Sequence, residues 1–207
     1  LPEEFNLEER LGIDYFTNVI TPLQIEEDIR RENTGRGVGS TKNGIGPCYE
    51  DAIGRRALCI GDLIYKQDRA LQMLAKQVQH WKREDPNFEE DPALADMFEQ
   101  LRQEALPFKD MIINNLPARL REARAMGENI LYEGAQGAML DISFGTYPYV
   151  TSSHTIAGGV CTGVGVPPSA IDEVVGIVKL TETRVGDGPF PSELVDPERQ
   201  KKEYLEY

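Results

Sequence analysis

The sequence predicts an α/β fold, a partial and mostly parallel sheet with a helical insertion, and three observations carry that expectation. Val174 through Leu180 is almost continuously apolar (Val174, Val175, Ile177, Val178), the pattern of a parallel strand covered on both faces. Asn129–Tyr132 has the same character on a shorter scale. Between about 48 and 126 the apolar residues recur instead at steps of three and four, with no alternation of strand and helix.

Taken in order, residues 11–20 are β-branched and aromatic and read as a strand. Thr21 and Pro22 open a helix through Leu23, Ile25 and Ile29 that closes near Gly35. A glycine-rich stretch, 35–46, comes next. In the helical section, Leu71, Leu74, Val78 and Trp81 form one apolar face. Asp91-Pro92 reads as a cap and first turn leading to Leu94, Met97, Phe98 and Leu101. A further helix carries Phe108, Met111 and Ile112 and should break before Pro117, continuing through Leu120 to Gly127. The expected organisation is a single partial α/β domain over 1–207 with 48–126 as a helical excursion within it. The start lacks an initiator Met and the end stops inside a helix-like run, so both ends read as cut from a longer chain.

Composition removes several classes. A net charge of −13 over 207 residues argues against a broad nucleic-acid-binding face, although a nucleotide needs only a few local donors. Cys48, Cys59 and Cys161 are an odd number without C-x-x-C spacing, which speaks against a disulfide framework or a structural zinc site. No apolar run has membrane-spanning length, and a cytoplasmic setting is the expectation.

Four segments could carry chemistry. In Gly35 through Pro47, glycines let successive N–H groups face one point, a concavity suited to phosphate; Ser40 and Thr41 add hydroxyls, and Arg36, Lys42, Arg55 and Arg56 add charge. The spacing is not that of a Walker A loop, and the alternative is a plain surface loop. In Tyr132-Glu-Gly-Ala-Gln-Gly137, a strand end would point Gln136 into a crevice, where an uncharged amide can donate to a developing oxyanion; the alternative is a solvated turn. In Gly145 through Gly159, Thr151, Ser152 and Ser153 could hold an anion at a helix start or merely cap it. Thr183 through Pro191 is a turn in which Arg184 reads as a packing or ion-pair residue. His154 has no second His and no carboxylate pattern to make a metal site, and Glu89-Glu90-Asp91 reads as a solvated loop.

Taken together and in this order, these segments resemble the adenylosuccinate synthetase family. Gly39 through Arg55 is similar to its G-T-T-x-x-G-I-G-P-x-Y-x-x-K-x-x-R signature; Glu133-Gly-Ala-Gln-Gly, Leu140-Asp-Ile, Gly145 through Ser153 and Lys179 through Glu193 are similar to later blocks. The resemblance implies a P-loop-NTPase-like fold and a GTP- and Mg2+-dependent ligase that joins aspartate to IMP. It implies that Ser40, Thr41 and Thr151 bind the IMP 5′-phosphate and that Gln136 holds O6 of the base. It further implies that Arg55 reaches the phosphate in a neighbouring subunit of a homodimer with shared sites, and that Val185 lies against the ribose. Ala52 stands where the signature has Lys. The metal ligands and most GTP contacts belong to family segments that lie outside this chain, so the chain alone is expected to be inactive. Two other readings are a phage-type relative that uses dGMP and a non-catalytic dimerisation or nucleotide-binding module.

Overall fold

The computed structural model describes residues 10–84 and 94–190. Two short strands, β1 (Ile13–Asp14) and β2 (Ile112–Ile113), pair in parallel with Ile13 opposite Ile112 and Asp14 opposite Ile113. The ladder extends by one bond, from the Tyr15 N–H to the Ile113 carbonyl at 2.9 Å. Between them run α1 (Pro22–Asn33), α2 (Ile45–Ile53), α3 (Ile60–Tyr65), α4 (Gln67–Glu84) and α5 (Leu94–Ala105). After β2 come α6 (Leu116–Ala125) and α7 (Gly158–Val164). No helix among the described residues is long and apolar enough to cross a membrane.

Thr21 and Pro22 start α1 as expected. The Thr21 backbone N–H donates to Gln24 Oε1 at 2.8 Å, the returning half of a capping box. Arg30 and Arg31 occupy the last turn, where positive charge suits the helix dipole. On α4 the buried positions are Ala70, Leu74, Gln77 and Trp81, with Leu71 and Val78 half-buried on the flank. The stripe is therefore turned slightly from the expected one, because Gln77 faces inward and donates to the Arg56 carbonyl at 3.1 Å. Leu58, Leu63, Leu74, Phe98, Leu101 and Ala105 form the core where α3, α4 and α5 meet. The cap expected at Asp91-Pro92 and the acidic run beside it lie outside the described residues, as does the helix-like run at the C-terminal end.

Three expectations change. The helix expected around Phe108 is a 3-10 turn over Leu106–Met111 that passes directly into β2. The chain then restarts at α6, where Asn115 Oδ1 caps the Ala118 N–H at 3.0 Å. Residues 11–20 give only β1 and an isolated bridge from Asn18 to Cys59. Most tellingly, 129–132 and 174–180 are not strands at all: Leu131 is 89% and Ile177 94% exposed. A strand exists only through a ladder partner. No neighbouring backbone among the described residues pairs with these two segments.

Candidate functional site

The glycine-rich stretch between α1 and α2 is held from one side by α1. Glu32 accepts from the backbone N–H groups of Val38 (3.0 Å), Gly39 (3.3 Å) and Ser40 (2.9 Å). These bonds, that from Ser40 foremost, hold the Glu32 carboxyl below its ordinary value. One turn earlier, Asp28 accepts from the Ser40 hydroxyl at 2.7 Å and the Gly44 N–H at 2.9 Å. A Cβ on Gly37 would overlap the Glu32 carboxyl group, so a side chain there would push that carboxylate off its donors. Thr41, Lys42 and Asn43 are exposed beyond this clamp, and the Thr41 hydroxyl oxygen accepts from Asn43 Nδ2 at 3.0 Å. The stretch is thus fixed rather than loose.

Helix α2 starts at the left-handed Gly44 and ends at Gly54, after which Arg55 also takes a left-handed backbone (φ 59°) and is exposed. Its neighbour Arg56 turns inward, donating from Nε to Asp51 Oδ1 at 2.6 Å. The other Asp51 oxygen accepts from Gln24 Nε2 at 2.7 Å, and Asp51 is fully buried.

Gln136 stands exposed on a turn at φ 62°. The next carbonyl, of Gly137, accepts from the Thr155 hydroxyl at 2.9 Å. Asp141 organises the loop beyond this turn. Fully buried, it accepts from the N–H groups of Ser143 (2.8 Å), Phe144 (3.2 Å), Thr155 (2.7 Å) and Ile156 (3.4 Å), with His154 Nδ1 3.4 Å away. Burial pushes this carboxyl up, but the four backbone donors outweigh burial and bring it down from 3.8 to about 2. A carboxylate depressed in this way contributes stability above its unfolded value near 4, and the contribution drains away as pH falls through about 2. We therefore expect urea midpoints of the wild type to exceed those of Asp141→Asn at pH 5 and to converge with them near pH 2. Parallel pH curves for the two proteins would contradict this account.

All four segments are linked. The Asp187 N–H donates to the Val38 carbonyl at 3.3 Å, and a Cβ on Gly39 would lie 2.5 Å from the Asp187 nitrogen. Arg184 donates to Thr146 Oγ1 (3.0 Å) and to the carbonyls of Tyr149 (2.7 Å), Asp187 (2.9 Å) and Pro189 (3.0 Å), a structural clip in keeping with its packing reading. A Cβ on Gly46 would meet Ser152 Oγ at 3.6 Å. The stretches carrying Thr41 and Thr151 therefore adjoin at Gly46 and Ser152, and the stretch carrying Gln136 joins through the bond from Thr155 to Gly137. Alongside lies an open cleft of about 1470 Å³ whose walls include Arg36, Gly46, Gly54, Arg56, Ser152 and His154. None of Ser40, Thr41, Arg55, Gln136 and Thr151 lines the cleft; Arg55 and Thr151 are the ones that sit next to wall residues in sequence. Sequence reasoning gave no role to Asp28, Glu32, Asp51 or Asp141, although Asp51 and Asp141 lie inside the quoted family blocks.

Parallel pairing, helices between the strands and glycine-rich turns beside a cleft define an α/β protein. The chain belongs to the adenylosuccinate synthetase family: the model of that family matches residues 3–206. It is 44% identical over 196 residues to an adenylosuccinate synthetase of Legionella pneumophila, covering 92% of this chain and 45% of the relative. A Caenorhabditis elegans adenylosuccinate synthetase is 38% identical over 204 residues, covering 96% and 44%. The structure of fully ligated adenylosuccinate synthetase from Plasmodium falciparum superposes with a TM-score of 0.82 at 31% identity, covering 97% of this chain and 48% of that one. The chain spans less than half the length of the curated relatives it matches.

Proposed function

We propose that this chain supplies the nucleoside-monophosphate side of a GTP-dependent carbon–nitrogen ligase in purine nucleotide biosynthesis. The reaction it serves joins IMP and aspartate, with GTP, to give adenylosuccinate, GDP and phosphate. In the first step O6 of IMP takes the γ-phosphoryl group of GTP. In the second the aspartate amine forms a bond to C6 as the phosphate leaves with the O6 electron pair. The observation that carries the reading is the contact of the Thr41 and Thr151 stretches at Gly46 and Ser152 within a family member. Thr41 and Thr151 then donate to the 5′-phosphate, with Ser40 beside them. Gln136 donates to O6 as charge develops there, and Arg55, exposed at the end of α2, reaches the phosphate bound by the partner of a homodimer. We read 48–126 as the helical excursion of the domain.

The family implies Mg2+, and the residues present do not fit it. Among the described residues no three His, Cys, Asp or Glu side chains converge to hold a metal ion. Asp28 and Glu32, the carboxylates nearest the glycine-rich stretch, already accept from it. No step is assigned to a metal.

The test is to offer the full-length protein GTP and aspartate with IMP or with dGMP. We expect IMP to be consumed. Consumption of dGMP alone would replace the reading with the diaminopurine-nucleotide route, and binding of IMP without turnover would leave a nucleotide-binding module. For the shared site, Arg55→Leu should raise the KM for IMP about tenfold or more, the loss of a charge-assisted phosphate contact. Mixing that variant with Gln136→Ala should restore part of the activity through hybrid dimers. No recovery on mixing would rule out sharing.

A further inference from the structure

Asp28 and Glu32 stand four residues apart on α1, so their side chains share one face of the helix. Two like charges at that spacing repel each other unless something compensates them. Here the compensation comes from the stretch just after the helix: five donors, four backbone N–H groups and one hydroxyl, all from residues 38–44. The result divides the two adjacent hydroxyls. Ser40 gives its proton to Asp28 and accepts from the Lys42 N–H at 3.1 Å, so it faces the protein. Thr41 is exposed, and its oxygen is already an acceptor for Asn43 Nδ2, which leaves its own proton free to donate outward.

We propose that Asp28 and Glu32 are positioning residues for the phosphate-binding turn: by taking up the donors of residues 38–44 they turn Ser40 inward and present Thr41 to the nucleotide phosphate. The inference rests on the functional reading above and adds a division of labour to it. Ser40 acts through Asp28, and Thr41 is the hydroxyl that meets the ligand. Neither carboxylate touches the phosphate. The N–H groups of residues 38–40 are occupied by Glu32 throughout.

The experiment measures equilibrium binding of IMP and of inosine, which lacks the phosphate, to the full-length protein and to Glu32→Gln, Asp28→Asn, Ser40→Ala and the Asp28→Asn/Ser40→Ala pair. We expect each single variant to weaken IMP binding about fivefold to tenfold, the scale of one ordinary hydrogen bond. Inosine binding should stay unchanged, which a general loss of folding would not allow. The double variant should bind IMP no worse than the weaker of its two parents, because both changes act on the same Asp28–Ser40 bond. Ser40→Ala removes only a hydroxyl and keeps the test available if a carboxylate variant fails to fold.

Tighter IMP binding by Glu32→Gln would overturn the proposal, since it would make Glu32 a competitor for the phosphate seat. So would unchanged IMP affinity in all variants, or fully additive losses in the pair. In those cases the wild type still prefers IMP to inosine and the functional reading stands. A wild type without that preference removes both.

Discussion

In the full-length protein, Gln136→Ala should lower kcat by about two to three orders of magnitude, the range seen when one oxyanion donor is lost. Gln136 sits on a turn with a left-handed backbone, and its side chain is exposed. That conformation is uncommon for a residue with a Cβ and is retained where the surroundings over-determine it. Here they do so through Asp141. Its buried carboxylate fixes 143–144 and 155–156, and Thr155 in turn holds the Gly137 carbonyl, the peptide next to Gln136. On the proposed reading this amide strengthens its bond to O6 of IMP as negative charge grows there, which lowers the barrier without tightening the ground state. The change should therefore fall on kcat and leave the KM for IMP within about threefold. A kcat within twofold of the wild type would remove Gln136 from the chemistry. Gln136→Gly separates the two contributions, since it relieves the backbone strain while losing the same donor. It should be at least as folded as the alanine variant and just as slow.

How much of the fold the sequence disclosed depends on the reach of each signal. The stripe on α4 was legible because its period is local, and its small rotation toward Gln77 was not, because that residue answers to the Arg56 carbonyl outside the helix. The start of α1 was legible from Thr21-Pro22 alone. β2 was hidden: two residues at the end of a helical pattern gain strand geometry only by meeting Ile13 and Asp14 across the whole helical section. Val174–Leu180 shows the converse. Its composition asks for cover on both faces, but composition says nothing of where the cover comes from, and the described residues leave it exposed.

In the site, the turn-forming glycines and hydroxyls could be picked out by type. The carboxylates that hold them could not, since Asp28 and Glu32 look like any solvated helix face until residues 38–44 fold back over them. Ser40 and Thr41 are chemically equivalent in sequence, and only the fold gives them opposite directions.

Asp51→Ala should be the most destabilising of these changes, by roughly 3–5 kcal/mol, the cost of removing one partner from a buried ion pair. Asp51 is wholly excluded from solvent and gives one oxygen to Arg56 and the other to Gln24. Alanine would leave the Arg56 guanidinium and the Gln24 amide with donors aimed at an empty space. Gln24 also accepts from the N-cap of α1, so the damage reaches the helix that carries Asp28 and Glu32. Arg56 is the anchor that turns the chain after Gly54, and Arg55 faces outward because its neighbour is tied inward. Asp51→Asn distinguishes charge from shape. It keeps an acceptor for one donor but brings an NH2 against the other, so it should recover part of the stability and not all of it. Urea midpoints of the two variants in the full-length protein check this. Equal midpoints for Asn and wild type would mean that the ionised carboxylate adds nothing beyond its hydrogen bonds. A loss below about 0.5 kcal/mol for Ala, an ordinary surface value, would mean that α1 and α2 are joined by apolar contact alone, and Arg55 would then need another cause for its direction.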